Sequence, residues 1–160
     1  MFSKINKTQV FWLVALRVVI GWHFLYEGIV KLTNPNWSSV GYLLDSQGWF
    51  KDIFYWMASS PAILNTIDFL NVWGLIAIGL GLILGLLTPI ALSGGILLLA
   101  MYYLSHPPFV GLKYTLPMEG SYLFVNKTLI ELVALILLLS FPTGKYIGID
   151  RLIMRKKNIG

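Results

Sequence analysis

The chain has 160 residues, 57% of them hydrophobic and 12% charged, with no cysteine, a formal net charge of +5 and a mean hydropathy of +0.74. Soluble domains carry about a quarter of their residues as charge, so this composition excludes an ordinary soluble globule and points to a lipid bilayer. The lack of thiols excludes disulfides, thiol relays, iron–sulfur clusters and thioether-linked haem, and the length allows one compact membrane domain spanning 1–160.

The N-terminal "MFSKINK" resembles the charged region of a signal peptide. The apolar run after it is too long, contains Arg17 and offers no small-residue cleavage site, so retention is expected. A helix needs about 20 residues to cross a hydrocarbon core of roughly 30 Å. Four stretches meet or approach that length, at about 10–32, 67–87, 89–106 and 122–141. Between the first two lies the aromatic-rich segment 36–60, "NWSSVGYLLDSQGWFKDIFYWMASS". In it Trp49, Phe50, Ile53, Phe54, Trp56 and Met57 fall opposite Lys51, Asp52 and Tyr55. That pattern predicts an amphipathic helix lying in the membrane interface, serving either as an anchoring lid or as a docking platform or gate. Proline suits a helix's first turn, so Thr88–Pro89 reads as a tight turn that makes the second and third helices antiparallel neighbours.

Positive charge fixes the expected orientation. Lys4 and Lys7 precede the first helix, while Lys145, Arg151, Arg155, Lys156 and Lys157 follow the last. Four crossings then place both tails in the cytoplasm. The outer segments carry Lys51 and Lys113 against Asp45, Asp52 and Glu119. The expected architecture is all-α: a membrane-embedded four-helix bundle in the plasma (inner) membrane, with an extra amphipathic interfacial helix between helices 1 and 2.

The first stretch holds Arg17, His23, Glu27 and Lys31 in "RVVIGWHFLYEGIVK". At about 100° per residue they fall within a face roughly 120° wide. Ionisable groups are costly in lipid, so this face should turn into the bundle. The fourth stretch supplies Asn126, Lys127 and Glu131, with Glu131 at a depth comparable to Glu27, and a shared polar cluster in the outer half follows. Other readings stand beside it. Arg17 and Lys31 can snorkel to the inner and outer headgroups, His23 can be a satisfied core histidine, and the glutamates can hold the bundle through interhelical hydrogen bonds. The alternative for the carboxylates is proton exchange or ligand binding. His23 and His106 differ in depth, which argues against a bis-histidine haem. "GLILG" at 81–85 fits close helix packing, inside the bundle or in a homodimer. "PTGK" at 142–145 lacks the upstream glycine of a phosphate loop and reads as a helix end. The basic tail suits anionic lipid, and nothing points to nucleic acid.

"LRVVIGWHFLYEGIVKL", "GLLTPIAL" and "NKTLIELVALILLLSFPTGKYIGIDRLI" together resemble the DoxX/DoxD family of small four-helix membrane proteins. Arg17, Glu27, Lys31 and Glu131 match family-like positions, whereas Asn71 stands where a carboxylate often appears. DoxD-type members are associated with a thiosulfate:quinone oxidoreductase, so the resemblance implies a quinone-reactive membrane subunit of an oxidoreductase. On that reading Glu27 and Glu131 exchange protons and His23 bonds a quinone carbonyl. Trp22 and Tyr26 give ring contacts, Lys31 and Lys127 tune charge, and Asn126 and Arg17 complete the polar set. With no metal or thiol ligand set in the chain, electrons come from a partner protein or an outer substrate. The alternative is a non-catalytic structural or assembly subunit that docks a partner, and a small-molecule transporter is the weaker third reading.

Overall fold

The computed structural model describes residues 6–116 and 123–157. Lys4, Glu119 and the expected helix start at Tyr122 lie outside them. Asn6 opens the first helix through a reciprocal cap: its side chain accepts the Gln9 N–H at 2.8 Å, and the Gln9 side chain accepts the Asn6 N–H at 2.9 Å. Helix α1 then runs over Lys7–Thr33, with no proline to interrupt it. Two short helices follow in the outer segment, α2 (Val40–Leu44) and α3 (Lys51–Ala58).

Helix α4 (Pro61–Leu84) begins six residues before the expected start at 67. Pro61 sits in its first turn, where a fixed φ favours the helix; Asn65, Thr66 and Asp68, just after that turn, break the apolar run and hide this start. Gly85 ends α4 in the left-handed conformation at φ 63°, and α5 (Thr88–Ser105) starts three residues later. Helix α6 (Lys127–Leu139) has 13 residues, about 20 Å of rise, and so is shorter than the expected 122–141. Short α7 (Thr143–Tyr146) and α8 (Ile149–Lys157) complete the chain. "PTGK" therefore opens a new helical turn instead of closing the preceding helix. No strand occurs among the described residues.

Helices α1, α4 and α5 are long and apolar enough to cross a membrane. Helix α1 packs against α4, α4 against α5 and α5 against α6, while α6 also meets α1. Phe24, Leu75, Leu82, Leu92, Leu99 and Leu135 form much of the core between them. Large apolar side chains such as Trp12, Val19, Ile90 and Leu97 point outward, as lipid-facing surfaces require. In lipid, helix association rests on close packing more than on expulsion of water, and glycine supplies it at the α1–α4 crossing. A Cβ on Gly79 would lie 2.5 Å from the Leu25 backbone nitrogen and 2.7 Å from the Gly21 carbonyl oxygen. The glycines of "GLILG" also face their own chain: Gly81 abuts Ala91, and Gly85 abuts Gly148 and Arg17.

At the α4–α5 turn the C-terminal segment folds back. Asp150 accepts the Leu87 N–H at 2.7 Å and the Thr88 N–H at 2.9 Å, and donates its own N–H to the Gly85 carbonyl at 2.9 Å. A carboxylate distant in sequence thus caps α5. Arg17 reaches the same region and is only 1% exposed. It donates to Thr143 Oγ1 at 3.2 Å and to the Ile147 carbonyl at 2.8 Å. It does not snorkel, because the 143–150 segment covers it.

Candidate functional site

The polar face of α1 is divided by depth. Arg17 belongs to the Gly85–Asp150 end, whereas His23, Glu27 and Lys31 belong to a cavity of about 180 Å³ nearer the other end of the bundle. All four elements of the circuit contribute to its lining. Helix α1 gives His23, Phe24, Glu27 and Lys31, α4 gives Leu75, α5 gives Leu99 and Tyr102, and α6 gives Lys127, Thr128 and Glu131. Phe24, Leu75 and Leu99 supply apolar wall, and the charged side chains supply the rest.

Two polar links cross this cavity. His23 Nδ1 lies 2.8 Å from Glu131 Oε1, joining α1 to α6. On the opposite side Lys31 Nζ donates to Asn71 Oδ1 at 3.2 Å, and Asn71 Nδ2 donates to the Tyr102 hydroxyl at 2.7 Å, joining α1, α4 and α5. Lys31 Nζ also sits 3.8 Å from Glu27 Oε2 and over the rings of Trp37 and Tyr102 at 5.3 and 5.6 Å. The spacing of four between Glu27 and Lys31 produces that ion pair. The His23 and Glu27 side chains are about half exposed (45% and 48%), whereas those of Glu131 and Lys31 are mostly covered (14% and 16%). One partner of each pair therefore faces the opening and the other faces the protein.

An imidazole and a carboxylate sharing one hydrogen bond can accept a proton on one and release it from the other. The second pair adds an ammonium beside a carboxylate. A ligand in the cavity would thus meet protons and charges of both signs next to an apolar wall. No group of three His, Cys, Asp or Glu side chains suited to a metal ion occurs among the described residues.

Besides Arg17, three expected site residues stand apart from this cavity. Trp22 and Tyr26 are 61% and 56% exposed and do not line it. They lie at about 140° and 180° on the helix wheel, against about 240–320° for His23, Glu27 and Lys31, which turns their rings outward. Asn126 is the N-cap of α6, and its carbonyl accepts the Leu129 N–H at 2.9 Å. Lys127 does line the cavity. Tyr102 and Thr128 are cavity residues that the sequence alone did not single out. Tyr102 carried a signal, being one of the few polar tips on a largely apolar helix.

A separate polar cluster closes the end of the bundle beyond Lys31. His106 is buried between the rings of Tyr42 and Tyr114, with centroids at 4.0 and 4.7 Å. Its Nδ1 lies 3.0 Å from Ser105 Oγ and its Nε2 lies 3.7 Å from Asp45 Oδ2. Asp45 accepts hydrogen bonds from the Thr115 N–H and hydroxyl and from the Leu116 N–H. The side chains of Ser46 and Ser105 are hydrogen-bonded, and the Gln47 amide donates to the Lys113 carbonyl. Burial pushes the His106 imidazole below its ordinary range despite the nearby Asp45. Burial alone would raise Asp45, but the Thr115 and Leu116 donors outweigh it and hold the carboxyl below its ordinary range.

No curated protein and no solved structure matches the chain. The model of the DoxX family matches residues 12–107, more than half of the sequence. The matched span contains α4, α5 and nearly all of α1, with Arg17, His23, Glu27, Lys31, Asn71 and Tyr102, and it stops before α6 with Lys127 and Glu131. Three apolar helices of membrane-crossing length and a family match over that span make this chain an integral membrane protein that belongs to the DoxX family.

Proposed function

We propose that the chain is the membrane subunit of an oxidoreductase and that the His23–Glu131 cavity is its quinone-reactive site. The observation that carries this reading is the hydrogen-bonded imidazole–carboxylate pair, one partner open and one covered, against the apolar wall of Phe24, Leu75 and Leu99. A quinone accepts two electrons and two protons. The cavity's residues fit such a group: His23 and Tyr102 offer donors to its carbonyl oxygens, and Phe24 and Leu99 offer surface to its ring. Glu131 holds the His23 proton in place and accepts it back, while Glu27, half exposed beside Lys31, exchanges protons with the outside. Electrons are supplied by a partner oxidoreductase. In this reading α6 with its flanking residues is the fourth crossing of a four-helix bundle. The basic tails face the cytoplasm of the plasma membrane, and α3 lies in the outer interface.

The test begins with purification of the tagged protein in mild detergent and mass spectrometry of what accompanies it. The reading expects stoichiometric quinone and an oxidoreductase partner, and expects Glu131→Gln and Glu27→Gln to stop quinone-linked turnover while the protein stays folded. Turnover that survives both substitutions would sink it. A second reading, a non-catalytic assembly subunit, is favoured by the exposed Trp49, 86% accessible and packed on Phe109 at 5.9 Å. A protein partner recovered without quinone, or a homodimer alone, would support that reading.

A further inference from the structure

The Lys31–Asn71–Tyr102 chain has a fixed polarity. An ammonium can only donate, so the Asn71 atom facing Lys31 is its carbonyl oxygen, which leaves the amide nitrogen to donate to Tyr102. The Tyr102 oxygen is then an acceptor from Asn71, and its own proton must point elsewhere. That hydroxyl donates to no acceptor among the described residues in the hydrogen-bond network around it. On the far side of Asn71 and Tyr102 lies a second cavity of about 200 Å³, walled largely by Leu43, Phe54, Leu70, Leu98 and Met101. Its hydroxyls donate elsewhere, Ser39 to Asp68 and Tyr42 to the Tyr102 carbonyl, and neither is hydrogen-bonded to the Tyr102 hydroxyl. The polar surroundings open to the Tyr102 proton are those of the His23–Glu131 cavity, which Tyr102 also lines.

The geometry points to Tyr102 as a ligand-binding residue: its hydroxyl, turned by the Lys31–Asn71 chain, donates a hydrogen bond to a carbonyl oxygen of the molecule held in the cavity, and Asn71 is the positioning residue that sets the direction of that donor. The inference rests on the quinone reading for the identity of the ligand. With His23 contributed by the opposite link, the cavity presents two donors from two sides, which suits a flat molecule with two carbonyl groups. Asn71 determines specificity because a carboxylate in its place would have no N–H to give. It would accept from Lys31 and from the Tyr102 hydroxyl, and that hydroxyl would then present a lone pair to the cavity.

The experiment uses the full chain in lipid nanodiscs and a short-tailed benzoquinone with isotope-labelled carbonyl groups. Binding is followed by titration and the carbonyl stretch by infrared difference spectroscopy. The wild type is expected to bind the probe with both carbonyl bands lowered in frequency, one by His23 and one by Tyr102. Tyr102→Phe and Asn71→Asp should each return one of the two bands to its free frequency, leave the other lowered, and weaken binding by roughly two- to twelvefold, the range of one neutral hydrogen bond. Tyr103→Phe, whose hydroxyl donates instead to the Phe124 carbonyl at 2.6 Å, should leave both bands in place. Two lowered bands in Tyr102→Phe overturn the inference while the quinone reading stands. Loss in Tyr102→Phe but not in Asn71→Asp overturns the role of Asn71. A wild type that does not bind the probe overturns both readings.

Discussion

Asp150→Asn probes how the C-terminal segment holds the bundle. The two carboxylate oxygens each take one backbone N–H, from Leu87 at 2.7 Å and from Thr88 at 2.9 Å. Asparagine keeps the shape but has a single acceptor oxygen, so its NH₂ must face one of those donors. Losing one charge-assisted hydrogen bond costs about 1.5–3 kcal/mol. Removing a negative charge from a helix N-terminus costs about 0.3–1 kcal/mol more. The expected destabilisation is therefore about 2–4 kcal/mol in total. Leu87 makes the turn sensitive: it sits at φ 48°, a left-handed conformation that costs a side-chain-bearing residue roughly 1–2 kcal/mol and relaxes once the cap fails. The assay is denaturation in mild detergent with tryptophan fluorescence, paired with hydrogen exchange at Leu87 and Thr88. Burial opposes the Asp150 charge, but its Thr88 and Leu87 donors, aided by Arg17, hold the carboxyl below its ordinary range. The unfolded chain thus binds this proton more tightly than the folded one. The stabilisation is complete above the ordinary carboxylate range and is lost as pH falls through the depressed folded value. Asp150→Asn should lack that acid sensitivity. A stability within about 0.5 kcal/mol of wild type, a change usual for plain surface substitutions, with unchanged exchange at Leu87 and Thr88, would refute the capping argument.

Gly79→Ala should destabilise by about 1–3 kcal/mol or more, because the new Cβ meets backbone atoms of α1 at 2.5 and 2.7 Å and the two helices must part. Thermal unfolding reads this directly, and a melting point equal to wild type would mean that the crossing is looser than described. Thr143→Val removes one of the two protein acceptors of the buried Arg17 and should cost about 1.5–3 kcal/mol. Thr143→Ser, which keeps the hydroxyl, should recover most of it in the same measurement. The outer cluster should respond to pH. Burial lowers the folded-state affinity of His106 for a proton, so its neutral form favours the fold above the ordinary imidazole value of about 6.5. That contribution falls as pH drops below that value towards the depressed folded one. His106→Phe keeps a ring between Tyr42 and Tyr114 and should flatten this part of the stability–pH curve; an unaltered curve would exclude His106 as its source.

The long helices were legible because a bilayer demands what a sequence displays most plainly, an unbroken apolar run. The tight α4–α5 turn was equally plain from Pro89, which fits a helix's first turn, whereas Gly85, the left-handed cap of α4, was read as a packing glycine. Ends were less legible where polar residues enter the helix. The first turn of α4 takes its start from Pro61, and α1 takes its start from the Asn6–Gln9 cap; neither depends on hydropathy. Helix α2 has only five residues, too few for any periodicity to show. The C-terminal segment was the largest omission. Read alone, 142–157 is a helix end and a basic tail. In the fold it supplies Thr143 and Ile147 to Arg17 and Asp150 to α5, contacts that span 62 to 130 residues of sequence.

The same distinction governs the cavity. Helical angle alone placed Arg17, His23, Glu27 and Lys31 on one inward face; Arg17 and Lys31 are covered there, while His23 and Glu27 line the cavity and stay about half exposed. Angle does not select partners, because depth and the neighbouring helices do. Arg17 shares the face, yet it meets uncharged acceptors at the far end. His23 meets Glu131 because α6 comes near α1 at that level, and Lys31 bridges to Asn71 where α1 and α4 run close on Gly28, whose absent side chain leaves Ile76 room to approach. Trp22 and Tyr26 are next to cavity residues in sequence but a quarter-turn or more away in angle. Their aromatic character made them attractive as ring contacts, although an aromatic on a lipid-facing flank needs no ligand to explain it. The polar groups that matter to the cavity are those whose partners come from different helices. This places Asn71 and Tyr102, polar residues of two largely apolar helices, beside the charged groups of α1 and α6.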